Sequence, residues 1–207
     1  MKIPEAYNHW SSTYDIDKNL TRDLDQEITK NTLRDLRCKL ILEMGCGTGK
    51  NTSLLTEIGE QVHAFDISVG MITKAKEVLG RTKVSFLMAD ITKKWPFSNE
   101  CADLLVCNLV LEHIEDLFFV FSEASRSLVE GGCFFICELH PFRQYQGTKA
   151  RFTKDKGIVK IQAYVHHFSD YLKAAEVNGL TFKGCSEWSH EEDQNQLPRL
   201  VSFLFEK

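Results

Sequence analysis

Three glycines at alternate positions, Gly45, Gly47 and Gly49, follow the apolar run Lys39 to Met44 and precede the helix-compatible stretch Thr52 to Ile58. A strand that enters such a turn and leaves as a helix can bring its main chain against a ligand, because glycine puts no Cβ in the way. A dinucleotide fingerprint, G-x-G-x-x-G, would need its third glycine at position 50, where Lys50 stands. Asp66 lies 21 residues beyond Gly45, at the end of the next apolar run. A carboxylate there can accept hydrogen bonds from both ribose hydroxyls of an adenosine ligand. Asp90 closes a third run and is followed by Ile91. That pair suits an adenine amino group beside an apolar ring contact, and Asp90 equally suits a turn cap.

A second group sits in His140-Pro141-Phe142-Arg143-Gln144-Tyr145. His140 reads as a general base, since imidazole titrates near neutral pH, or as a turn residue ahead of proline. Arg143 offers a two-pronged clamp for a carboxylate, or a surface charge. Phe142 and Tyr145 offer pocket walls. His166 and His167 are adjacent, and on one strand they would point to opposite faces, which disfavours a shared metal. No His, Cys or carboxylate cluster has metal-ligand spacing, so no metal is expected.

These residues need a scaffold, and the periodicity supplies one. Apolar runs at 39–44, 61–65, 83–88, 102–108 and 133–138 alternate with helical stretches at 52–58, 69–79 and 117–128, the last stopped by Gly131-Gly132. Continuous apolar strands alternating with helices imply an α/β fold, a parallel sheet covered on both faces. Residues 1–37 are helix-compatible, and the charge order from Asp23 to Arg37 suits one amphipathic helix. After residue 138 the rhythm changes. A polar and aromatic insertion leads to a strand at 158–164, a helix at 169–177 and final strands at 180–186 and 199–205.

Glu43-Met44-Gly45-Cys46-Gly47-Thr48-Gly49 resembles the E/D-x-G-x-G-x-G motif of class I S-adenosylmethionine (SAM)-dependent methyltransferases. Phe65-Asp66-Ile67-Ser68 with Met71-Ile72 and Ala75-Lys76, then Asp90-Ile91 with Pro96-Phe97, and Asn108 to Ile114 resemble its later motifs. The last is closest to the ubiquinone- and small-molecule-type members. The resemblance implies a Rossmann-like, doubly wound seven-stranded sheet, mostly parallel with an antiparallel C-terminal strand. It implies SAM as cofactor and S-adenosylhomocysteine (SAH) as product. Glu43 and the loop Gly45, Cys46, Gly47 and Gly49 would face the methionine part, with Asp66 at the ribose. Ile67 and Met71 would flank the adenine, Asp90 and Ile91 would meet its edge, and Asn108 and Leu109 would lie beneath the sulfonium. Related enzymes often close the site with an N-terminal helix, which here gives a lid over residues 1–37, with Tyr14 touching the cofactor.

The expected whole is one methyltransferase domain over 1–207, with residues 139–168 as an acceptor-side insertion. It would move a methyl group to an oxygen or nitrogen of a small molecule. The alternatives are a non-catalytic SAM- or nucleoside-binding protein, or partner subunit, and an NAD-dependent oxidoreductase, which the glycine spacing opposes. A net charge of -4 at pH 7 argues against a nucleic-acid partner. No apolar run reaches the length of a membrane span. The seven scattered cysteines lack any C-x-x-C pair and suit the reducing cytoplasm. Oligomeric state is not legible.

Overall fold

The computed structural model describes residues 2–80, 83–154, 157–194 and 196–207. Two helices open the chain, α1 (Ile3–Trp10) and α2 (Leu20–Leu33), followed by β1 (Cys38–Met44), α3 (Lys50–Ile58), β2 (Gly59–Asp66), α4 (Val69–Leu79) and β3 (Val84–Met88). Then come β4 (Ala102–Asn108), α5 (Leu117–Ser127), β5 (Leu128–Leu139), α6 (Pro141–Tyr145), β6 (Arg151–Lys154) and β7 (Gly157–Lys160). The chain closes with α7 (Phe168–Val177), β8 (Thr181–Trp188) and β9 (Leu200–Glu206).

Seven strands form one sheet in the order β3-β2-β1-β4-β5-β9-β8. The first five pair in parallel, and β9 runs antiparallel to both β5 and β8. The continuous apolar character of the central strands has a simple cause: both faces are covered. Ile41 of β1 packs with Leu24 and Ile28 of α2 and Leu55 of α3, while its neighbour Leu42 packs with Phe121 of α5 and Tyr171 of α7. On α5, Leu117, Val120, Phe121 and Ala124 recur at helical spacing and are all buried. Each such side chain contributes about 1.5–3 kcal/mol on burial. Strand order reverses between β1 and β4, and at such a switch point the loops after the two strands part to open a crevice.

Several expectations change in detail. The N-terminal segment is two helices, with an irregular stretch from Ser11 to Asn19 between them. Asn19 starts the second by accepting hydrogen bonds from the Thr21 and Arg22 amides. Helix α5 ends at Ser127, before the Gly131-Gly132 pair, which lies inside β5. The expected strand at 158–164 shortens to β7, which pairs only with β6 in a separate hairpin. Trp10 of α1 stacks on Phe152 of that hairpin with ring centroids 5.4 Å apart, and Ala6, Trp10, Phe152 and Ile161 form a small third core. This core holds the N-terminal helix and the insertion together above the carboxyl edge of the sheet.

Candidate functional site

At the end of β1 the chain turns on Gly45, with φ at 66°, and its amide donates to the Phe65 carbonyl at 2.8 Å. A Cβ there would lie 2.1 Å from Val110 Cγ2, so only glycine lets the loop after β4 come this close. Gly47, also left-handed at φ 54°, differs: a Cβ on it would meet nothing within 4 Å. Its amide donates to Asp66 Oδ2 at 3.0 Å, and the Ser68 amide donates to Asp66 Oδ1 at 2.7 Å. Burial raises the Asp66 carboxyl above its ordinary range, opposed by these backbone hydrogen bonds. Each oxygen keeps a lone pair for a further donor.

A cavity of about 380 Å³ opens on this edge. Tyr14, Gly45, Gly47, Asp66, Ile67, Met71, Asp90, Ile91, Asn108 and Leu109 all line it. Asp90 combines both of its readings, since its Oδ1 accepts from the Thr92 amide at 2.9 Å and hydroxyl at 2.6 Å while the residue faces the cavity. Leu109 holds a positive φ of 57°, a strained backbone for a leucine, at the point where its peptide borders the cavity. Glu43 and Cys46 stand apart in a narrow adjoining cleft. Glu43 accepts from Thr52 Oγ1 at 2.5 Å, and burial pushes its carboxyl up to about 8. Gly49 reaches neither space; it starts α3, where a Cβ would sit 3.0 Å from Leu79 Cδ1.

The same cleft contains two residues that sequence reasoning missed, Arg22 and Asp25, with Thr29 beside them. Arg22, Asp25 and Thr29 occupy one buried face of α2. Arg22 donates to the carbonyl oxygens of Tyr14 and Asp17, and its guanidinium lies 4.0 Å from the centre of the Tyr14 ring. Asp25 accepts from Asn51 at 2.8 Å and from Asn108 at 2.5 Å, and burial pushes it up to about 6. Asn108 also donates to Thr29, while its own Oδ1 is buried without a partner. The available signal was a polar residue at i, i+3 and i+7 on the helix face that carries Leu24 and Ile28.

A second cavity, of about 390 Å³, shares Tyr7, Tyr14 and Leu109 with the first. At the shared wall the Tyr7 hydroxyl lies 2.7 Å from His113 Nε2, and His113 Nδ1 lies 2.8 Å from the Gln162 carbonyl. A carbonyl only accepts, so Nδ1 carries the proton and Tyr7 donates to Nε2. Burial lowers the His113 pKa, which keeps the ring neutral. Glu138, at the end of β5, accepts from the Val110 and Leu111 amides and so anchors the segment that carries His113.

The expected acceptor residues lie elsewhere. His140 is fully buried; its Nδ1 accepts from the Phe142 amide at the start of α6 and its Nε2 bonds Glu187 of β8 at 2.7 Å, so both nitrogens are engaged. Arg143 pairs with Asp193 at 2.9 Å and donates to the carbonyls of Leu197 and Pro198. Tyr145 points outward, 2.5 Å from His167 Nδ1. None of the three lines either cavity, because the turn at Pro141 carries α6 towards the β8–β9 connection. His166 and His167 lie outside any strand; His166 Nε2 meets the Leu111 and Ile114 carbonyls, and His167 starts α7. Among the described residues no group of three or more His, Cys, Asp or Glu is placed to hold a metal ion, and no helix is long and apolar enough to cross a membrane. All seven cysteines are free thiols.

Residues 42–136 match the model of a methyltransferase domain. The chain is 28% identical over 216 aligned positions to an uncharacterized methyltransferase of Emericella nidulans, across 85% of this chain and 74% of that one. It is 32% identical over 112 positions to the malonyl-[acyl-carrier protein] O-methyltransferase of Anoxybacillus flavithermus, across 53% of this chain and 42% of that one. The match therefore spans less than half the length of that relative. In fold it is similar to a SAM-dependent methyltransferase of Mesorhizobium loti, with a TM-score of 0.72 at 16% identity, across 87% of this chain and 96% of that one. A strand order with β9 as its single reversed member, a glycine turn at the switch point and the matched domain together make the chain similar to class I SAM-dependent methyltransferases.

Proposed function

We propose that the chain binds SAM in the first cavity and transfers its methyl group to an oxygen or nitrogen of a small acceptor that enters by the second. The supporting observation is convergence: ten residues marked from sequence as cofactor contacts, scattered from Tyr14 to Leu109, line one cavity at the switch point. The fit is chemical as well as spatial. Open space at Gly47 lets a ligand lie against its main chain. Asp66 accepts from the ribose hydroxyls, Ile67, Met71 and Ile91 hold the adenine by apolar contact, and Asp90 meets its amino group. In the cleft, Arg22 faces the carboxylate of the methionine end, and Asp25 with the unpartnered Asn108 Oδ1 faces its ammonium. When bound, SAM supplies a methyl carbon activated by its sulfonium. The protein's part is chiefly to hold donor and acceptor in line, which supplies most of the rate in such displacements.

Tyr7 stands between the two cavities and passes its hydrogen bond to His113, so this pair takes the place first given to His140 in steering an acceptor proton. The whole chain from 1 to 207 acts as one catalytic unit in this reading, with α1 and the β6–β7 hairpin covering the site. O-methylation is the reaction in the name of the Anoxybacillus relative and is the favoured class. Isothermal titration should show SAH and SAM binding with no comparable affinity for NADH; the reverse ranking defeats the proposal. A metabolite screen scored by SAH release then finds the acceptor.

A further inference from the structure

We propose that the second cavity is the acceptor seat and takes a small molecule bearing an anionic oxygen group, held by Lys149 and Arg151. The word acceptor rests on the methyl-transfer reading above; the anion site stands on its own geometry. Five cationic side chains and two carboxylates line this space. Three of the cations are engaged: Lys18 pairs with Glu192 at 3.0 Å, Arg199 pairs with Asp193, and Arg22 holds the carbonyls of Tyr14 and Asp17. Lys149 and Arg151 make no ion pair among the described residues. Both also line an adjoining hollow of about 280 Å³ with Lys160, so positive charge extends outward from the mouth. A lone exposed cation gains little from an anion, but two that line the same space can share one anionic group and gain more.

A second observation comes from the same lining. Glu112 lines the same cavity, is only 5% exposed, and its Oε2 has no hydrogen-bond partner. Gln144 and Lys149 act on the Glu112 carboxylate, yet this oxygen has no partner of its own, and buried polar atoms are almost always satisfied in a native fold, so a donor on the bound molecule would complete it. Trp10, Leu20, Leu109 and Leu139 line the space as well. The lining therefore suits a molecule that carries an anionic group, an O–H or N–H and some hydrocarbon. Burial pushes the Glu112 carboxyl up to about 7, which suits an oxygen that accepts a hydrogen bond or a proton near neutral pH.

The test is isothermal titration of inorganic phosphate, and separately of malonate, into protein saturated with SAH. Saturation keeps the probes away from the cleft assigned to the methionine end. At least one anion should bind in the millimolar range, and the double variant Lys149→Gln/Arg151→Gln should weaken it by about tenfold or more. SAH affinity should stay within about twofold in that variant, because the substituted side chains do not line the first cavity. Tighter phosphate supports a phosphorylated acceptor, and tighter malonate a carboxylic one. Absence of binding for both anions, or unchanged affinity in a variant with the parent's circular dichroism, overturns the proposal. If SAH itself does not bind, the methyl-transfer reading falls, and the same anion titrations of the unliganded protein still decide the site.

Discussion

Asp66 ties two stretches of backbone together, since Gly47 at the glycine turn and Ser68 at the start of α4 donate to its separate oxygens. Its side chain therefore orders the loop and presents lone pairs to a ligand at once. Asp66→Ala should weaken SAM binding by roughly 1.5–3 kcal/mol, the size of a lost charged hydrogen bond, as read by titration calorimetry. Asp66 was legible because a carboxylate at a strand end, one strand beyond a glycine turn, has few other uses. His140 was not legible in the same way. A histidine before proline at the end of β5 starts near the site, but where its side chain goes depends on the path of the chain afterwards. That path buries it against Glu187. Glu112 was hidden for the opposite reason: only the fold shows that one of its oxygens is left without a partner.

Among the elements, α1 and the β6–β7 hairpin depend on each other. Neither has a large core of its own; they share Ala6, Trp10, Phe152 and Ile161. Phe152→Ala should remove about 3 kcal/mol of packing from this unit. Amide exchange across residues 3–10 should then quicken while that of β1 and β4 stays slow; equal change in both regions would contradict a separately held cover. An aromatic N-terminal segment over the site was legible from Tyr7, Trp10 and Tyr14 at helical spacing. Its division into two helices was not, because the charge order of residues 23–37 reports only on the second helix and the break before it is set by Asn19 through a local cap. The hairpin was half seen, as a strand near 158, since its partner at 151–154 has no apolar period to announce it.

Across the whole molecule the sheet was the most legible feature, because burial on both faces demands continuous apolar strands and each is closed by a turn. What periodicity cannot carry is the number of carboxylates enclosed by that sheet and its helices. Burial pushes Glu43 and Glu138 up to about 8, Glu112 to about 7 and Asp25 to about 6. The folded protein keeps protons that the unfolded chain has released, so their contribution is complete below the ordinary carboxylate range and is lost as pH rises through the folded values. Glu123, lowered by its bond to Arg126, and Asp193, lowered by Arg199 against the effect of burial, act in the opposite sense and fail in acid. Thermal stability should therefore peak near about pH 5 and decline towards about pH 8, where the loss from the raised groups is complete. Melting temperatures across that range that stay flat or rise would contradict the assignment.

Tyr7, Tyr14 and Leu109 belong to both cavities, so the two chambers share one partition. A ligand that fills the first therefore touches side chains that also wall the second. Occupancy of the two sites is then thermodynamically coupled, and the coupling must be mutual: whatever factor SAH adds to the affinity for an anion, the anion adds to the affinity for SAH.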